Sequence, residues 1–180
     1  MGALEAEIFW AFLVFTMSLN KLYSSCLSDK KENCENNGYR YAFINGQCYY
    51  IESKRLNYYA AKQNCYNKFG SNNVGRLFEP RQSFTYTSVH NTVISKNINE
   101  AFWLGITDLK QEGTFVYSSD DSSLEYTNWV TAWSEPNNGL RPNNDPKEED
   151  CVDTGQYSPH ILWNDVQCSL KRASVCKQWP

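Results

Sequence analysis

Apolar and polar positions change rhythm several times along this chain, and each change marks an expected element. Ile8 to Leu19 (IFWAFLVFTMSL) is continuously apolar, yet shorter than the roughly 20 residues with which a helix crosses a bilayer core. Residues 26 to 38 (CLSDKKENCENNG) are polar and turn-rich, a short lead-in without the heptads of a coiled-coil neck. Tyr39 to Phe43 and Gln47 to Glu52 flank Asn45-Gly46, a dipeptide suited to the left-handed backbone of a two-residue hairpin turn. Asn57 is placed to cap a helix through about Phe69, with Tyr58, Ala61 and Cys65 at helical spacing and Gly70 just beyond its end. A second amphipathic segment follows Pro80, with Phe84, Thr87, Val89, Val93 and Ile94 as its expected buried positions before Asn97. From Ala101, AFWLGITD predicts a core strand, and GTFVYSSD and EYTNWV predict short segments in a loop-rich half. CVDTG, ILWNDVQC and ASVCKQW predict three closing strands. Two helices followed by many short strands describe an α+β domain.

Composition sharpens this outline. With 180 residues, 41% hydrophobic and 15% aromatic, the chain suits one domain around a single core plus a short extra at one end. A net charge of -3 with no basic stripe argues against nucleic acid as a partner, because nothing is arranged to neutralise phosphates. The N-terminal apolar run reads as a signal peptide over residues 1 to 25, cleaved after Ser18 or near Ser25, although Glu5 and Glu7 stand where a basic lead is usual. A secreted, extracellular protein without a membrane span is therefore expected. In a chain routed outward, the seven cysteines (Cys26, Cys34, Cys48, Cys65, Cys151, Cys168 and Cys176) read as a disulfide framework with one left over. Their spacing does not choose the pairing. They form no CxxC pair, and the chain has only two histidines, His90 and His160, which argues against zinc.

The stretch WSEPNNGLRPNNDPKEEDC, Trp133 to Cys151, is rich in oxygen-bearing side chains and has little to hold it as helix or strand. Carboxylates crowd the interval it opens: Glu135, Asp145, Glu148, Glu149, Asp150, Asp153 and Asp165. An acidic run is ordinarily a solvated surface. Here, WLGITD (Trp103 to Asp108), EPN (Glu135 to Asn137), EEDC (Glu148 to Cys151), LWNDVQC (Leu162 to Cys168) and the final Cys176 occur in an order and at separations that together are specific. In these residues the chain, over roughly Cys34 to Trp179, resembles the C-type lectin-like domain. The domain organisation is then a signal peptide at 1 to 25, a lead-in at 26 to 33 and a lectin domain at 34 to 180.

The resemblance implies a disulfide-stapled α+β fold of two helices with small antiparallel sheets and a long calcium-binding loop. It implies the pairs Cys65–Cys176, Cys151–Cys168 and, as in the family's long form, Cys34–Cys48, leaving Cys26 for an intermolecular bridge, hence a Cys26-linked homodimer, or for a free or alternatively paired thiol. Glu135, Asn137, Glu149, Asn164 and Asp165 match the family's primary calcium ligands, which also bind the sugar. Three carboxylates and two amides supply hard oxygen donors, a set that selects Ca2+. Asp108, Glu112, Asn138 and Asp150 match a partly preserved auxiliary calcium position, with Asn138 standing where many members have Asp. In this family Glu-Pro-Asn, with a cis Glu135-Pro136 bond, goes with the equatorial 3- and 4-hydroxyls of mannose, N-acetylglucosamine and fucose-type ligands.

The segment from Asn138 to Glu148 is longer than compact versions of this loop. Arg141, Asn143, Asn144 or Asp145 in it are candidates for contact with further sugar units, and otherwise it is a surface excursion. Trp103 and Trp163 are expected in the core, while Trp129 and Trp133 flank the loop as candidates for stacking on a sugar face. The alternative to a lectin is a calcium-ordered domain that binds a protein, mineral or ice surface. An enzyme is not expected, because the carboxylates are accounted for as ligands and no Ser/His or Cys/His arrangement is visible.

Overall fold

In a computed structural model that describes residues 3–69, 75–138, 148–155 and 162–178, Asn45 and Gly46 both take left-handed backbone angles, with φ of 50° and 78°. They join β1 (Tyr41–Ile44) to β2 (Gln47–Leu56) with Ile44 opposite Gln47, the hairpin that their sequence predicts. The helix α2 (Tyr58–Lys68) follows at once, because the Asn57 side chain accepts the Ala60 N–H at 2.9 Å and satisfies one of the amides that a helix start leaves without a partner. Its inward face is Tyr58, Ala61 and Cys65, as their spacing predicts.

Before these elements lies α1 (Ala3–Glu35), which corrects the reading of residues 26 to 38 as turn-rich lead-in. Lys30, Lys31, Glu32 and Glu35 are good helix formers, and the turn residues take effect only afterwards, where the Asn37 N–H bonds the Cys34 carbonyl and Gly38 takes φ 117°. The described residues thus hold three helices, but α1 lies almost wholly before Cys34, and the domain that follows keeps the two helices expected of it. Trp10, Phe12, Phe15 and Leu22 on α1 are largely exposed. Among the described residues no helix is long and apolar enough to cross a membrane.

A short strand, β3 (Gly75–Leu77), precedes α3 (Ser83–Ser95). Here the predicted phase is corrected. Val89 and Val93 are buried as expected, but the third inward residue is Tyr86, while Phe84, Thr87 and Ile94 face solvent. Tyr86 wins the inward position because its ring lies flat against Phe78 (6.3 Å between centroids) and meets the edge of Trp163 (5.8 Å), partners supplied by other elements than α3 itself.

The remaining strands are β4 (Phe102–Thr107), β5 (Val116–Tyr117), β6 (Cys151–Thr154), β7 (Trp163–Val166) and β8 (Arg172–Gln178). The EYTNWV segment forms no strand and contributes only an isolated bridge between Trp129 and Trp163. Instead of separate small antiparallel sheets there is one mixed sheet in the order β1-β2-β8-β4-β6-β7, with β3 on β8 and β5 on β4. β8 lies between β2, to which it is antiparallel, and β4, to which it is parallel. β4 is buried along its whole length. Cys65–Cys176 ties α2 to β8, Cys34–Cys48 ties the end of α1 to β2, and Cys151–Cys168 joins the start of β6 to the turn after β7. These are the pairs that the resemblance implies, and Cys26 is free and exposed.

Candidate metal centre

β6 and β7 run antiparallel with Val152 opposite Asp165 and Asp153 opposite Asn164. This register sets Asn164 and Asp165 close to the point where Glu149 and Asp150 lead into β6. The Glu-Pro-Asn segment is brought to the same place by backbone bonds around Trp163. The Trp163 N–H donates to the Asn128 carbonyl at 2.7 Å, the Val130 N–H to the Trp163 carbonyl at 3.0 Å, and the Glu135 N–H to the Val130 carbonyl at 3.2 Å. A 3-10 turn at Thr131–Trp133 and a left-handed Ser134 return the chain, and Glu135 is buried. The Glu135-Pro136 bond is cis.

The tightest geometry centres on Asp165, which is fully buried. Its carboxylate accepts the Asn137 N–H at 3.2 and 3.0 Å and the Asn138 N–H at 2.7 Å. Consecutive amides aimed at one anion form a concave binding site for negative charge, so the Glu-Pro-Asn segment is moored to β7. Asn138 is left-handed (φ 51°), and its side-chain Oδ1 accepts the Glu149 N–H at 2.9 Å. Hydrogen bonds thus tie together the three stretches of chain that carry Glu135 and Asn137, Glu149, and Asn164 and Asp165.

The donors suit a hard cation. Asn164 is buried, and its Oδ1 meets no hydrogen-bond donor among the described residues. Buried oxygens are ordinarily paired, which makes this atom a ready ligand. Among the described residues no three carboxylate, imidazole or thiol groups close on a common centre. A hard cation could be met here only by a shell that includes amide oxygens such as that of Asn164, a mixed oxygen set of the kind calcium accepts.

The auxiliary candidates are partly assembled. The Asp108 N–H donates to the Asp150 carbonyl at 3.2 Å, and Asp108 Oδ2 accepts the Gly113 N–H at 2.9 Å. Burial, with Glu112 and Asp150 adding repulsion, pushes the Asp108 carboxyl up to about 6. Burial followed by Glu148 also pushes Asp150 up. Asp108 Oδ1 meets no donor among the described residues. Glu112 is exposed beside them, whereas Asn138 bonds Glu149 and Asp165.

Trp103 and Trp163 are fully buried. Trp129 packs edge-on against Trp163 at 5.6 Å and against Phe115 at 5.0 Å. Arg141, Asn143, Asn144, Asp145 and His160 lie outside the described residues, as does the side chain of Trp133. Arg172 on β8 reaches past Trp103 on β4 to donate from Nε to Asp153 Oδ2 on β6 at 2.6 Å. No local signal pairs them, since β8 and β6 become near neighbours only through β4.

A sheet seamed by β8, three disulfides and a loop moored to the Trp-Asn-Asp strand define a C-type lectin-like domain. The Lectin C-type domain family matches residues 54–178, and the chain belongs to it. It is 28% identical over 140 residues to the hepatic lectin of Gallus gallus, covering 77% of this chain and 58% of that one. It is 26% identical to the alpha-N-acetylgalactosamine-specific lectin of Patiria pectinifera, covering 76% and 77% respectively. The mouse scavenger receptor C-type lectin carbohydrate-recognition domain superposes with a TM-score of 0.64 at 22% identity, over 78% of this chain and 95% of that one. A Ca2+-dependent type II antifreeze protein does so with 0.60 at 18%, over 79% and 99%. The chain spans less than two thirds of the hepatic lectin's length. Family membership places it outside the enzymes.

Proposed function

We propose that the chain is a secreted, calcium-dependent carbohydrate-binding protein that takes sugars of the mannose, N-acetylglucosamine and fucose type. The observation that carries this reading is the mooring of Asn137 and Asn138 to Asp165, which brings Glu-Pro-Asn against Asn164 on the neighbouring strand. Bound calcium would supply a hard Lewis acid able to accept two adjacent hydroxyl oxygens of a sugar. Glu135, Asn137, Glu149, Asn164 and Asp165 would hold the ion. Of these, the carboxylate of Glu135 is suited to accept a hydrogen bond from a sugar hydroxyl and the amide of Asn137 to donate one to a hydroxyl oxygen, so the sugar hydroxyls are met both as donors and as acceptors. Binding requires no proton transfer and no nucleophile. The relatives named for carbohydrate recognition support the class of ligand, and the Glu-Pro-Asn sequence supports equatorial 3- and 4-hydroxyls. Asp108, Glu112 and Asp150 are an auxiliary calcium position in this reading.

Three disulfides favour an oxidising, extracellular location. The exposed apolar side chains of α1 favour removal of residues 1 to 25 as a signal peptide, leaving the lectin domain at 34 to 180.

Retention of the protein on mannan-agarose in calcium, with release by EDTA, is the expected result. Calcium uptake without retention on any immobilised sugar would transfer support to a protein, mineral or ice surface as the ligand, a reading kept in view by the antifreeze protein of like fold.

A further inference from the structure

We propose that Asn138 is a positioning residue of this site, a clasp that fixes Glu149 relative to Asp165 through bonds made by the protein alone. The inference rests on the reading of Glu149 and Asp165 as ligands. The main-chain N–H of Asn138 donates to Asp165 Oδ2 at 2.7 Å, and its side-chain Oδ1 accepts the Glu149 N–H at 2.9 Å. One residue thus grips β7 with its backbone and the entry to β6 with its side chain.

Three demands meet at this position. The backbone is left-handed, with φ 51°, which Asn tolerates better than most residues. An acceptor must reach the Glu149 amide, which excludes Gly and Ala. The acceptor belongs to a residue bonded both to Asp165 and to the Glu149 amide, where a neutral amide adds no repulsion between carboxylates. Asn satisfies all three and Asp the first two. The clasp spans 11 positions in sequence, so Asn138 ties Glu149 directly to the Glu-Pro-Asn segment. The oxygen that the auxiliary calcium arrangement would draw from Asn138 is here given to a backbone amide.

The test uses the full, isotopically labelled chain. In EDTA, Asn138→Ala should speed hydrogen exchange at the Glu149 amide about fivefold or more, the effect of losing one hydrogen bond, while amides of β4 and β8 keep their rates. Asn138→Asp retains an acceptor and should hold Glu149 exchange within about twofold of the parent. On titration with calcium, Asn138→Ala should weaken binding about tenfold, as loss of an outer support does, with the same number of ions per chain. Unchanged Glu149 exchange in Asn138→Ala overturns the clasp, and so does loss of one bound ion, which would make Asn138 a ligand. Should the parent protein take up no calcium, the lectin reading falls, whereas the exchange rates still decide the clasp.

Discussion

Asp165 and Asp153 are carboxylates in adjacent strands, both buried, yet their surroundings differ in kind. Asp165 is met by two backbone amides, and Asp153 by the Arg172 guanidinium at 2.6 Å. Burial outweighs that partner, and with Asp165 adding repulsion it pushes the Asp153 carboxyl up to about 6. A raised carboxyl binds its proton more readily in the folded chain than in the unfolded one. Its contribution to stability is therefore greatest below the ordinary carboxyl range near 4 and is lost as pH rises through about 6. Comparing melting temperatures of the calcium-free protein and Asp153→Asn between pH 4 and 7 should show the parent's relative advantage declining across that window. A difference that stays flat would mean that Arg172 holds Asp153 ionised throughout. Some residues announce such roles in sequence and others do not. Asn45-Gly46 and the Asn57 cap are legible because each acts on neighbours within three positions. Asn138 and Arg172 are not, because the groups they serve arrive from strands that only the folded sheet brings near.

Among elements, β6 and β7 carry the site and the Cys151–Cys168 bridge, with a sequence separation of 17, while Cys65–Cys176 spans 111 and touches no candidate ligand. In the chain-entropy picture the longer closure stabilises by about 4 to 5 kcal/mol and the shorter by about 3. Replacing Cys65 and Cys176 with Ala should thus lower global stability more, whereas replacing Cys151 and Cys168 should weaken calcium binding more per unit of stability lost. Chemical denaturation and calcium titration of the two double variants measure both, and equal calcium affinity in the two would show that the shorter bridge does not hold the site. The same contrast separates what a pattern can disclose about elements. α2 is predicted correctly because its inward face is continuous and capped. The face of α3 is misphased because Phe84 and Ile94 are as apolar as the residues that win, and the choice is made by Phe78 and Trp163. The helical reach of α1 to Glu35 is concealed by polar residues that suit a helix as well as a turn.

At the scale of the whole molecule, a single calcium-dependent sugar site typically binds a monosaccharide at about 1 mM, or about -4 kcal/mol, so useful avidity comes from joining copies. Cys26 is exposed and free and lies beyond both expected cleavage points. A dimer on a non-reducing gel that becomes monomer on reduction is the expected outcome, and a monomer in both lanes would remove Cys26 as the link. The family, and through the resemblance its disulfides, were legible in the order of motifs along the chain, because short motifs such as Glu-Pro-Asn and Trp-Asn-Asp are local in sequence while the path of the sheet is not. The path itself was not. The parallel contact of β4 with β8 depends on which strand fills the gap beside β2, a matter no local pattern encodes.

That gap gives synthesis of the domain a definite order. A ribosome that has delivered the chain as far as Lys171 has supplied β1 to β7 but not the strand that lies between β2 and β4. Until Arg172–Gln178 emerges, both neighbours present open edges of the kind that recruit strands from other chains. The nascent protein is thus most prone to wrong partners just before its sheet is closed.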